Sequence, residues 1–159
     1  MIELYTPALE DLWFRERFMG DEATMSYNHA WGGTIPFPES RWGPWYDHWV
    51  AHPQGMRFYR YLLDRDAGAF VGEAAFHFDP DRQLWLADVI VPAEYRGRGY
   101  GRQGLELLCR AAAARGIEAL YDDIAADNPG IAMFLKAGFT EEYRTNEIIM
   151  LKKELKTFR

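Results

Sequence analysis

Apolar positions change their period several times along this chain, and each change marks an element. Residues 1–5 alternate and read as a short strand. Thr6-Pro7, followed by Glu10 and Asp11, makes a helix start, with a capping hydroxyl, proline at the first helical position and acids in the first turn; Leu9, Leu12 and Trp13 give that helix its buried side. Trp42, Trp45, Tyr46 and Trp49 recur at helical spacing and predict a short helix over residues 40–51 that lays an aromatic stripe on a sheet. An antiparallel meander follows, with strands over 57–63, 69–78 and 83–91 separated by the turns Asp64 to Gly68 and Asp79 to Asp81. The third of these strands is apolar around a single acid, Asp88, the pattern of a strand buried on both faces. A helix over 100–115, stopped by Gly116, leads to a strand over 117–126, and the right-handed crossover makes strands 83–91 and 117–126 parallel neighbours. Asn128-Pro129 opens a second helix with Ile131, Phe134 and Leu135 inward and Gly138 as its stop, and residues 139–144 and 147–153 close the sheet.

This alternation predicts the α/β class, as one domain over residues 1–159 with a mixed, mostly antiparallel sheet flanked by helices. The length suits one domain, and 48% hydrophobic with 26% charged residues is ordinary globular composition without repeats or linkers. No run of 18 apolar residues and no signal layout occurs, so the expectation is a cytoplasmic protein that does not enter a membrane. Cys109, alone in the sequence, cannot form an internal disulfide; with Leu105, Leu108 and Ala112 it reads as core packing. A net charge of −6 argues against a nucleic-acid partner. Against that acidic background, residues 96–115 hold five Arg and one Glu, a local balance of +4.

The positive stretch begins on a glycine-rich turn. Gly97, Gly99 and Gly101 follow an apolar strand and open a helix, where free N–H groups and the helix dipole suit a phosphate or diphosphate. The Walker A pattern fails for want of a Lys-Ser or Lys-Thr pair after the glycines. The dinucleotide pattern matches at Gly99, Gly101 and Gly104, with Asp122 and Asp123 roughly 20 residues on. Against a dinucleotide-binding enzyme, seven residues separate Val91 from Gly99, where that fold makes a tight turn.

The same segment also reads as R-x-x-G-x-G from Arg96 to Gly101, after a strand ending at Val91 and before Asp127-Asn128 and Phe134-Leu135-Lys136-Ala137-Gly138-Phe139. On these motifs, residues 57–153 resemble the GNAT superfamily of acetyl-CoA-dependent N-acetyltransferases. The resemblance implies a cofactor-binding core over 57–153 in which strands 83–91 and 117–126 splay apart and acetyl-CoA lies in the gap. Backbone groups of Val89 and Val91 would pair with the pantetheine arm, the N–H groups of Gly97, Arg98, Gly99, Tyr100, Gly101 and Arg102 would hold the diphosphate, and Asn128 would bond the arm from the other side. Arg96 and Arg98 stand as cofactor ligands or as solvated charges, and Asn128 as ligand, helix cap or both. Residues 1–56 would form the acceptor side, with Tyr27, Asn28, His29 and Trp31 in an aromatic, glycine-containing loop as the wall. The implied partner is a primary amine on a small molecule or a peptide chain, and a homodimer is the default assembly.

Transfer to an amine needs a base, and the candidates are Asp123, Asp88 and Glu73, which read equally as hydrogen-bonded structure or as binders of a cationic acceptor. Asp122 and Asp123 alternate along a strand, so one of them should face the cleft. Where many members of the superfamily carry a Tyr as acid for the sulfur, this chain has Phe134; Tyr143, Tyr121, Tyr27 or His29 could replace it, or the thiolate could leave unaided. The missing Tyr keeps open a second function, a CoA-binding regulatory module without turnover. His48 and His52 have the spacing of a metal pair but no third ligand nearby, so no metal is expected.

Overall fold

The computed structural model describes residues 1–155, with backbone alone at Ala30 and Trp31. Strand β1 spans Ile2–Tyr5, helix α1 Trp13–Met19 and helix α2 Glu22–Met25, the last running into a 3-10 turn over Ser26–Trp31. Helix α3, Trp42–Tyr46, widens into a π-turn over Asp47–Ala51. Then come β2 (Arg57–Asp64), β3 (Ala69–Asp79), β4 (Leu84–Ile90), α4 (Tyr100–Ala114), β5 (Ala119–Ala125), α5 (Ile131–Lys136), β6 (Thr140–Arg144) and β7 (Ile148–Glu154). Among the described residues, seven strands form one sheet in the order β1-β2-β3-β4-β5-β7-β6. Its one parallel contact, β4 with β5, is the pair predicted from the crossover. A doubly wound parallel sheet is therefore excluded, and the dinucleotide-enzyme reading goes with it.

Each face of the sheet is covered. On one, Leu105, Leu108 and Ala112 of α4 and Phe134 of α5 meet Leu62, Phe76, Leu120 and Ile149, with Cys109 buried among them as expected. Helix α4 sits close to the sheet at Gly104, where a Cβ would lie 2.6 Å from Leu62 Cδ1. On the other face, Leu12, Phe14, Phe18 and Phe37 cover Tyr59, Tyr61 and Ala75. The aromatic stripe of α3 packs here as predicted, with the Trp45 ring edge-on to Tyr59 at 4.6 Å and Trp49 beside His77 at 5.7 Å.

Three expectations need correction. The first helix does not start at Thr6-Pro7. The Asp11 carboxylate accepts the Ala8 N–H at 2.9 Å, a 3-10 turn over Leu9–Leu12 follows, and the α-helical phase begins at Trp13. That shift buries Phe14 and Phe18 and leaves Leu9 and Trp13 exposed, where Leu12 alone of the predicted trio is buried. Leu135 also points outward, because the short α5 turns one stripe to the sheet and Phe134 occupies it. Finally, β4 is not buried throughout: Asp88 is exposed, because β5 leaves it there.

The divergence is a consequence of pairing. β4 is held by β3 over seven register pairs from Glu73↔Ile90 to Asp79↔Leu84, and β5 by β7 over seven from Ala119↔Glu154 to Ala125↔Ile148. Between β4 and β5 the register has a single pair, Leu86↔Tyr121. Beyond it the two strands separate and leave a gap in the middle of the sheet.

Candidate active site

The glycine-rich loop closes one end of that gap. Gly97 and Gly99 take φ of +79° and +81°, values that turn the chain from the end of β4 into α4 and strain any side chain with a Cβ. Gly99 is the N-cap of α4. Among the described residues, none of the N–H groups from Gly97 to Arg102 donates to a protein acceptor; the first that does is Gln103, to the Gly99 carbonyl at 3.2 Å. A row of free amides at the start of a 15-residue helix presents partial positive charge, the surroundings that suit an anion.

The side chains of this loop do other work. Arg96 lines the cleft, but its guanidinium donates to the carbonyls of Val91 (3.1 Å), Ala23 (3.3 Å) and Thr24 (2.7 Å). Arg98 reaches over the Tyr95 ring, and Arg102 pairs with Glu106. The Tyr100 hydroxyl donates to Asp64 at 2.6 Å, so Tyr100, like the glycines, offers the cleft its main chain.

A cleft of about 950 Å³ runs from these amides through the gap. Val89, Val91, Gly97, Gly99, Gly101, Arg102, Asn128 and Phe134 line it, as do Tyr27, Asn28, His29 and Asp88. Arg98 does not line it, and the Trp31 side chain lies outside the described residues. Asn128 Oδ1 accepts the Gly130 N–H at 2.8 Å in a turn just before α5, whose N-cap is Gly130 rather than the expected Asn128, while the Asn128 Nδ2 has no protein partner among the described residues. Phe134 is buried against Phe139. Both Asp122 and Asp123 line the cleft, against the expectation of one: the gap cuts through the sheet, so residues of either face border it.

The carboxylates of the site differ in their surroundings. Asp88 lines the cleft; the surrounding protein raises its pKa, with Arg15 and the Val89 N–H opposing, and no other side chain hydrogen-bonds it among the described residues. Burial pushes Asp122 well above the usual carboxylate range, with Asp88 and Asp123 adding to the shift. Asp123 is held by Arg82 at 3.2 Å, which also binds Asp79 at 2.8 Å. Glu73 does not line the cleft. It is buried, accepts the Tyr59 hydroxyl, and lies 3.6 Å from Arg15 Nε; burial pushes it up to about 7, with Arg15 lowering and Asp88 raising it.

Of the candidate proton donors, Tyr27 and His29 line the cleft and Tyr121 and Tyr143 do not. Burial raises the Tyr27 hydroxyl far above its ordinary value, and His29 Nε2 is 3.2 Å from Asp127. Tyr143 is exposed on the edge strand β6. His52 contacts Asp47, and no metal-binding cluster occurs among the described residues. His77 lines the cleft from β3, Arg15 reaches Glu73 from α1 and Arg82 reaches Asp123 from the turn before β4; the sequence pattern does not place these three near the site, because their partners are distant in the chain. No helix among the described residues is long and apolar enough to cross a membrane.

The sequence model of a family described as Acetyltransferase (GNAT) family matches residues 9–139. No curated protein matches the chain by sequence. Among solved structures, an N-acetyltransferase from Staphylococcus aureus Mu50 is similar with a TM-score of 0.76 at 20% identity, covering 98% of this chain and 99% of that one. A phosphinothricin acetyltransferase from Sinorhizobium meliloti, in complex with AcCoA, gives 0.77 at 18% identity over 97% of this chain and 88% of that one. A spermidine N-acetyltransferase from Vibrio cholerae, in complex with CoA and spermine, gives 0.76 at 17% identity over 98% and 96%.

Proposed function

We propose that this chain, which belongs to the acetyltransferase (GNAT) family, moves an acetyl group from acetyl-CoA directly to a primary amine of a small molecule or a protein chain. The observation that carries the reading is the row of amides from Gly97 to Arg102, unpartnered by protein among the described residues, at one end of a cleft that passes between two diverging strands. Such a cradle fits a diphosphate, and the gap beyond it fits an extended arm. Gly97 to Arg102 would hold the diphosphate, the backbone of Val89 and Val91 would pair with the arm, and Asn128 Nδ2 would bond it from the opposite wall. Acetyl-CoA, when bound, supplies an activated thioester carbonyl.

The rest is done by this chain's own groups. β4 is unpaired toward β5 beyond Leu86, so a main-chain N–H at its end can face a developing oxyanion. Asp88 is the base: it opens into the cleft, no basic side chain hydrogen-bonds it, and its raised pKa suits proton removal from an ammonium. Asp123 is tied to Arg82 and so is less free to reach the amine. Tyr27, with its high pKa, remains a hydrogen-bond donor on the acceptor side. With Asp88, Asp122, Asp123 and Asp127 all lining the cleft, the acceptor is a cationic amine, a class to which the spermine of the Vibrio cholerae complex also belongs.

The test is release of free thiol from acetyl-CoA with a panel of primary amines, including polyamines, amino acids and peptides. Turnover with at least one cationic amine is expected. Tight acetyl-CoA binding without thiol release on any acceptor would instead support a regulatory module that binds CoA, the reading that Phe134 in place of a Tyr favours.

A further inference from the structure

We propose that Arg15 and Glu73, neither of which lines the cleft, form a positioning pair that sets the charge of Asp88. The inference rests on Asp88 as the base of the amine acetylation described above. Strand register makes the connection: Glu73 lies opposite Ile90, and Ala75 opposite Asp88, so Glu73 and Asp88 share one face of the sheet, a diagonal step apart. Arg15 approaches Glu73 from α1, with Nε 3.6 Å from Oε2.

The Arg15 guanidinium lies over the Phe37 ring at 4.7 Å and the Trp45 ring at 4.4 Å, which fixes it in place. Its Nε is buried and has no hydrogen-bond acceptor among the described residues. An apolar side chain would fill this position at less cost than a desolvated cation. What the arginine adds is charge beside a buried carboxylate.

Arg15 acts on both carboxylates and Asp88 raises Glu73, so we link the two titrations through Arg15 and their shared face, with Arg15 compensating one of the two negative charges. Burial and Asp88 bring the Glu73 value to about 7, so the pair sheds its last proton near neutrality and is then ready to accept one from an ammonium in the cleft. The other groups facing the pair are the hydroxyls of Tyr27, Tyr59 and Tyr61, which burial keeps protonated, and from β5 Asp122 and Asp123, the latter offset by Arg82. His77, further along β3, is held toward its neutral form by burial.

The pH dependence of kcat/KM for the best amine separates this role from mere support. In Arg15→Met the acid limb should move up by about one pH unit, because the pair keeps its proton longer. In Glu73→Gln it should move down, because Asp88 loses a negative neighbour, and Arg15→Lys should restore most of the wild-type profile. Acetyl-CoA affinity should be unchanged in all three. Limbs that stay in place while kcat falls, or that move in the same direction, would overturn the proposal. Carboxyl-carbon NMR titration of the ligand-free protein judges the pair without turnover: a Glu73 step near pH 7 that rises in Arg15→Met is expected, and a Glu73 step at its ordinary value of 4.5 overturns it. A wild-type protein with that NMR step but no amine turnover would defeat the transfer reading and leave the pair standing.

Discussion

The Arg96 guanidinium donates to the Thr24 carbonyl at 2.7 Å, so the loop that opens α4 is bound to the end of α2. The clasp is two-sided, since the buried Thr24 hydroxyl accepts the Ala93 N–H at 3.0 Å. Arg96 thus joins the α2 segment to the glycine-rich loop. Arg96→Met should destabilise the fold by about 1–3 kcal/mol in denaturant melts, because carbonyls lose a charged donor. Arg98→Ala, on the surface, should stay within about 0.5 kcal/mol.

Gly99 sits at φ +81°, with space around its Cβ position apart from Gln103 Nε2 at 3.7 Å. Gly99→Val must therefore strain or re-form the turn rather than clash with a neighbour. Calorimetric titration should show acetyl-CoA affinity reduced at least tenfold, with far-UV circular dichroism unchanged. Wild-type affinity in this variant would refute the cradle.

Asp88 and Asp123 both border the cleft, but Arg82 holds only the second. Asp88→Asn should lower kcat by about 10²–10⁴-fold with acetyl-CoA affinity intact, the range for loss of a general base. Asp123→Asn should cost less and act mainly on the KM of the amine. Steady-state kinetics with both variants checks the order.

Glu73 keeps its proton to about pH 7 in the folded chain and releases it near 4.5 when unfolded. Between those values the folded state binds more protons, so this group's contribution makes stability fall as pH rises through that window, by about 3 kcal/mol in total, and level off above it. Urea melts across the window should show a shallower fall in Glu73→Gln than in the wild type. Equal slopes would mean that Glu73 is not held up by burial.

The strands from β2 to β5 and helix α4 were legible because period-two apolar runs end there on turn residues such as Asp64 to Gly68 and Gly116. The parallel pair followed from crossover handedness alone. The start of α1 was not legible, because Asp11 folds back on Ala8 and shifts the helical phase, a local competition that the residue pattern does not rank. For Asp122 and Asp123, alternation gave the right faces but could not reveal a gap open to both. Arg15 carried no signal, since its partner Glu73 lies 58 positions away and meets it only through the sheet. The motif resemblance began at residue 57, whereas the family match begins at residue 9 and takes in most of residues 1–56 as well.

Amide NMR during titration with acetyl-CoA tests the central claim most directly. The account predicts downfield, saturable shifts of the amide protons from Gly97 to Arg102, as charge-assisted bonds to a diphosphate form, with little change on adding NAD. Saturation with those six amides unmoved, or no binding at all, would contradict it.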